Sequence, residues 1–141
     1  AIPTVARRTA ARYGLRPELL GAPQFLDWVR AHPRSVDCIF ALDVLEHVGE
    51  DELRALGGAF AGLLAPSGRL IVSGPTESPM YKIGRWVAGF ENHYHHRTIF
   101  DIDAVLQEKW TTRRSIVLPR PPLPCAFRLF RYEVRDHSLI R

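Results

Sequence analysis

Three stretches of this chain carry residue types that can move protons or hold polar ligands. Asp43, Glu46 and His47 close the run from Val36 to Val48 (VDCIFALDVLEHV); Thr76 and Glu77 follow Pro75 at the end of Arg69 to Glu77 (RLIVSGPTE); and Glu91 to His96 (ENHYHH) groups three histidines with a tyrosine. Carboxylates and imidazoles are the common general acids and bases near neutral pH, and histidine clusters are also metal ligands. The metal reading fails on spacing: adjacent His95 and His96 point apart in most backbones, and no second ligand pair accompanies them. No metal is expected. Asp43 admits two readings. With Glu46 three residues on, it has the spacing of a capping box, so its carboxylate would be satisfied by amides of its own helix. Equally, it could line a ligand site. His47 is either a surface histidine or a ligand-facing one.

The elements that must position these residues can be read from hydropathy. Ser35 to Leu42 and Arg69 to Ser73 are short continuous apolar runs bounded by turn signals, the pattern of strands covered on both faces. Between them Leu53, Leu56, Phe60, Leu63 and Leu64 recur at helical spacing, so a helix starting at Asp43 supplies a parallel crossover, closed by a type I turn at Ala65-Pro66-Ser67-Gly68. In such a β-α-β unit, ligands bind outside the carboxyl ends of the strands, which is where Asp43 and Pro75 to Glu77 fall.

Upstream, Pro3 to Tyr13 reads as a helix stopped by Gly14, Arg16 to Leu20 as a short strand, Gly21 to Pro23 as a turn, and Gln24 to Ala31 as a short helix closed by His32-Pro33. Downstream, Met80 to Phe90 carries a Met80, Ile83, Val87, Phe90 stripe, expected either to pack in the core or to lie over the site as a lid. Thr98-Ile99-Phe100-Asp101 is a second capping-box pattern, opening a helix to about Lys109. Arg113 to Leu118 and Ala126 to Val134, joined by PRPPLPC, read as an antiparallel hairpin at the sheet edge.

Composition bounds the function class. The 141 residues, 46% hydrophobic and 24% charged, are those of an ordinary globular chain read as one domain. No run approaches the roughly 18 apolar residues of a membrane helix, and the first residues lack the apolar core of a secretory signal. A cytoplasmic protein is expected, with Cys38 and Cys125 as free thiols. The net charge of +4 is concentrated at the ends: residues 1–16 hold four Arg and no acid, and residues 111–141 hold seven Arg against Glu133 and Asp136. Without aromatic-interleaved basic motifs or zinc-finger spacing, nucleic acid is not the expected partner.

Taken together, DCIFALDVLEHV, LAPSGRLIVSGPTE, the histidine loop and TIFDIDAVL resemble the second half of a class I S-adenosylmethionine-dependent methyltransferase, over roughly Arg16 to Val134. The resemblance implies an α/β, Rossmann-like three-layer fold whose strands run 3-2-1-4-5 with a 7-6 hairpin. Here strands 3 to 7 can be named and strands 1 and 2 are missing, so the fold is truncated at its N-terminus and ends in an antiparallel hairpin. It further implies S-adenosyl-L-methionine as cofactor, held by Gly21, Ala22, Leu42, Asp43, Val44 and His47, with Asp43 and His47 at the reaction centre. Pro75, Thr76, Glu77, Tyr81, His93, Tyr94 and His95 would face the acceptor, a small molecule or a lipid- or saccharide-linked one.

Two family features have no counterpart. There is no G-x-G-x-G, and Ala22 stands in LLGAPQ where the family's adenine-binding acid would fall. The helix at the start resembles the one after strand 2, so the chain is expected to begin beyond the ribose-binding acid. These departures imply weak cofactor binding by this chain, and leave open a non-catalytic packing module or another ligand-binding α/β domain. Without strands 1 and 2, strand 4 has a bare edge lacking Lys or Pro in Cys38 to Leu42. The sequence predicts that strand 3 shifts in to pair with it; self-association through that edge is the alternative.

Overall fold

The computed structural model describes residues 2–18, 20, 22–76, 78–79, 82–83, 97–120, 122 and 125–135. Cα packing divides the chain into two compact units, residues 1–32 and 33–141.

In the first unit, helix α1 (Ile2–Arg12) ends as its sequence dictates. Gly14 takes φ +67°, which costs it no Cβ clash, and lets the Leu15 amide donate to the Ala10 carbonyl (2.9 Å) and the Gly14 amide to Ala11 (3.2 Å). This paired closure satisfies carbonyls the helix would otherwise leave bare. Helix α2 (Ala22–Ala31) starts earlier than expected, with Pro23 in its first turn where no amide is needed. The predicted turn at 21–23 is therefore partly helix. At the other end of α2, His32 stacks on Trp28 with ring centroids 4.4 Å apart. The strand expected at Arg16 to Leu20 does not form: Arg16, Pro17, Glu18 and Leu20 are irregular and exposed. A strand needs a ladder partner to satisfy its backbone, and Pro17 has no amide to offer one.

The second unit is a β-α-β crossover continued by a hairpin. Strand β1 (Val36–Leu42) leads through a single 3-10 turn (Leu45–His47) into α3 (Glu50–Leu63), and β2 (Leu64–Pro75) returns parallel to β1. Helix α4 (Ile99–Leu106) precedes β3 (Trp110–Leu118) and β4 (Phe127–Val134). Among the described residues the sheet has four strands in the order β1-β2-β4-β3, with β4 antiparallel to both neighbours. This is the expected 4-5-7-6 order.

Period-two alternation along β2 decides which face is covered. Leu70 and Val72 are buried, as are Phe60 and Leu63 of α3, Ile99, Ile102 and Leu106 of α4, and Trp110 and Tyr132 of the hairpin. Each such side chain contributes about 1.5–3 kcal/mol over its exposed state. The opposite face carries Phe40, Leu42, Ile71, Ile116 and Leu129 beside Arg114 and Arg131, around an open groove of about 260 Å³.

Three further expectations are corrected. No described residue pairs with β1 on the side away from β2, so the predicted pairing of strand 3 with it is not formed and β1 is an edge among the described residues. The predicted turn at Ala65 to Gly68 lies inside β2: the register jumps from Val36↔Leu64 to Cys38↔Arg69, so those four residues bulge out of the ladder. The helix predicted from Asp43 begins only at Glu50, because Gly49 (φ −68°, ψ 165°) is extended. By contrast, the Thr98 box forms as read, the Asp101 amide donating to Thr98 Oγ1 at 3.4 Å and the Thr98 amide to Asp101 Oδ2 at 2.8 Å.

Candidate functional site

The carboxyl ends of β1 and β2 meet at one rim, and Asp43 is its most constrained residue. It lies one step beyond Leu42, whose register partner on β2 is Ser73. The Asp43 backbone has φ +50°, in the left-handed region that costs a residue with a Cβ about 1–2 kcal/mol, somewhat less for Asp. Ser73 offsets that cost. Its hydroxyl donates to Asp43 Oδ1 at 2.8 Å and accepts from the Asp43 amide at 3.1 Å, while the Ser73 carbonyl lies 3.3 Å from the same amide. A hydrogen bond to a charged carboxylate contributes about 1.5–3 kcal/mol, enough to outweigh the strain. The carboxylate is thus held by the neighbouring strand and not by amides of a following helix, which settles the two readings of its hydrogen bonding against the cap.

Around Asp43 the rim is mixed. Leu42 and Val44 are 52% and 47% exposed, unusual for apolar residues beside a core. Leu45 and Glu46 are buried in the 3-10 turn, so Glu46 is not the capping partner it was expected to be. The His47 side chain is about half exposed, with Nε2 3.8 Å from Glu46 Oε1. On β2, Pro75 is buried, and Thr76 commits its hydroxyl to the carbonyls of Cys125 and Ala126, 3.0 Å away, while its amide donates to Ala126. Thr76 therefore ties the rim to the start of β4 before it can serve any ligand. Arg97 reaches Glu50 at 3.4 Å and links the starts of α3 and α4. Arg54 also bonds Glu50 and pulls its carboxyl below the usual range, with Arg97 adding to the effect.

Solved structures share this fold. The chain superposes on the PH0226 protein from Pyrococcus horikoshii OT3 with TM-score 0.67 at 13% identity, covering 92% of this chain and 65% of that one. It matches the mitomycin 7-O-methyltransferase MmcR with TM-score 0.61 at 19% identity, over 92% of this chain and 38% of that one. For the N-methyltransferase NodS from Bradyrhizobium japonicum WM9, in complex with S-adenosyl-L-homocysteine, the values are 0.51 and 18%, over 71% and 46%. The fold is that of the class I S-adenosylmethionine-dependent methyltransferases. No family model and no curated protein sequence matches the chain. It spans less than two thirds of the length of each of these structures.

Within the methyltransferase fold, the sequence-predicted residues divide into three groups. Leu42, Asp43, Val44, His47, Pro75 and Thr76 share the rim of the second unit. Ala22 belongs to the first unit, as the first residue of α2. Gly21, Glu77, Tyr81, His93, Tyr94 and His95 lie outside the described residues, as does most of the expected lid. Ser73 was missed. The signal was available: it is the one hydroxyl in the apolar run Leu70 to Pro75, and a buried hydroxyl needs a partner. No described helix is long and apolar enough to cross a membrane.

Proposed function

We propose that this chain carries the acceptor-side half of an S-adenosyl-L-methionine-dependent methyl-transfer site. One observation carries the reading: a carboxylate held at positive φ, at the carboxyl end of a parallel strand, by a buried serine of the next strand. Backbone strain of this kind persists where the surroundings over-determine it, and it clusters at ligand sites. The rim fits the cofactor in part. Asp43 offers an acceptor for its polar end and the exposed Leu42 and Val44 offer apolar surface, but the sequence has neither a Gly-rich turn nor a ribose acid.

When bound, the cofactor supplies a methyl group on a sulfonium, a good leaving group. What remains for the protein is alignment of the acceptor with that methyl and, for a protonated acceptor, removal of its proton. Asp43 serves the first need and His47, half exposed at the same rim, the second. The acceptor we propose is a small molecule or a lipid- or saccharide-linked group in the cytoplasm. A second reading is a packing module built on the same fold, in which Asp43 and Thr76 spend their hydrogen bonds on the protein itself. For the bare edge of β1 we propose a second copy of the chain as partner; light scattering at increasing concentration should then show a dimer.

Losing two or three hydrogen bonds at about 1.5–3 kcal/mol each moves a micromolar site to millimolar or weaker. Titration of the isotope-labelled chain with S-adenosylhomocysteine should therefore show fast-exchange shifts confined to residues 42–47 and 73–76, unsaturated at one millimolar. A micromolar dissociation constant, or shifts centred elsewhere, would contradict the proposal; no response at ten millimolar would favour the packing module.

A further inference from the structure

We infer that Ser73 is a positioning residue, holding Asp43 in the one conformation that presents its free carboxylate oxygen at the rim. The functional consequence rests on the methyl-transfer reading above; the conformational claim does not. A hydroxyl has a single proton, and here it goes to Asp43 Oδ1, which leaves the oxygen's lone pairs to accept the Asp43 amide. One side chain thus closes a ring through both the backbone and the carboxylate of the same residue. Asp43 Oδ2 accepts no hydrogen bond from any described residue, and Asp43 is exposed, so this oxygen is open to a ligand.

Ser73 is well placed to hold this geometry. It lies inside the sheet, paired with Leu42 on β1 and Leu129 on β4, and only 6% of its surface is exposed. The residue is buried, so releasing Asp43 would leave a largely buried donor without its partner. Left-handed backbone at a residue with a Cβ relaxes unless something over-determines it; the Ser73 carbonyl, 3.3 Å from the Asp43 amide, holds the backbone alone, whereas the hydroxyl holds backbone and carboxylate together.

The test uses the 141-residue chain with Ser73→Ala and Ser73→Thr, reading the Asp43 φ from one-bond Cα–Hα couplings and carbon shifts. Ser73→Ala should move Asp43 out of the left-handed region and weaken S-adenosylhomocysteine binding about tenfold, the share of one charge-assisted hydrogen bond. Ser73→Thr, which keeps the hydroxyl, should retain both. Persistence of positive φ in Ser73→Ala, or its loss in Ser73→Thr, overturns the inference. Asp43→Gly provides a second background, because glycine takes positive φ unaided. There Ser73→Ala should lower the melting midpoint by less than half of what it does beside Asp43, and where Ser73→Ala alone does not fold the Asp43→Gly/Ser73→Ala variant should; equal losses, or failure of both to fold, overturn the inference. Should the wild-type chain not respond to S-adenosylhomocysteine at all, the functional reading falls and the φ measurement decides the positioning role by itself.

Discussion

Asp43-Val44-Leu45-Glu46 and Thr98-Ile99-Phe100-Asp101 present the same local pattern, a capping residue with an acid three positions later, yet only the second becomes a cap. At Thr98 the side chains and amides of one turn satisfy each other, and Ile99 and Ile102 are fully buried beneath them. At Asp43 a better partner is available from another strand. The Ser73 hydroxyl takes the carboxylate, the backbone turns to φ +50°, and the following residues close a 3-10 turn whose Leu45 is buried. The two segments are neighbours in space: the 3-10 turn packs against α4, and a Cβ on Gly74 would lie 3.3 Å from Ile99, close enough that Ile99 would have to give by a few tenths of an ångström. The difference teaches that a local signal holds where nothing long-range competes for its donors. Where a strand end delivers a buried hydroxyl, the tertiary bond wins.

Substitutions can break this contrast. The largest loss is expected from Leu45→Ala, about 2–5 kcal/mol by urea unfolding, since the turn after Asp43 is anchored by burial and not by a cap. A loss under about 1 kcal/mol would mean that local hydrogen bonds hold it after all. Thr98→Ala should cost less, about 0.5–2 kcal/mol, the usual worth of an N-cap.

A smaller effect follows from pH. Hydrogen bonds from the Thr98 backbone, then its side chain, hold the Asp101 carboxyl below the ordinary aspartate range. A depressed folded value means that this contribution is complete above the unfolded value, about 3.9, and is lost as pH falls through the lowered one. Acid unfolding of the wild type should be steeper below about pH 4 than that of Asp101→Asn, which has no carboxyl to titrate, and parallel curves would show that the box does not stabilise the charge.

What could be read from the sequence followed the same division. The Gly14 stop, the Thr98 box and the 113–134 hairpin depend on neighbours in the chain, and each formed. The strand order was accessible only through resemblance, because register between distant strands leaves no local mark. The misreadings all turned on partners at long range. Arg16 to Leu20 had strand composition but no ladder, Ala65 to Gly68 had turn residues but sits as a bulge between paired segments of β2, and Asp43 had a cap's spacing but a different partner. Ser73 was overlooked because its role depends on a residue 30 positions earlier.

The central claim, that one segment serves a ligand and the other serves stability, is tested most directly by comparing Asp43→Asn with Thr98→Ala in two readouts, melting midpoint and S-adenosylhomocysteine-induced amide shifts. Asparagine tolerates left-handed backbone and still accepts from Ser73, so Asp43→Asn isolates the charge. The account predicts a crossing: Asp43→Asn keeps the midpoint within about 2 °C and loses the shifts at residues 42–47, while Thr98→Ala lowers the midpoint by about 3–6 °C and keeps them. If both substitutions lower the midpoint alike and neither alters the shifts, Asp43 is a structural residue and the rim is not the site.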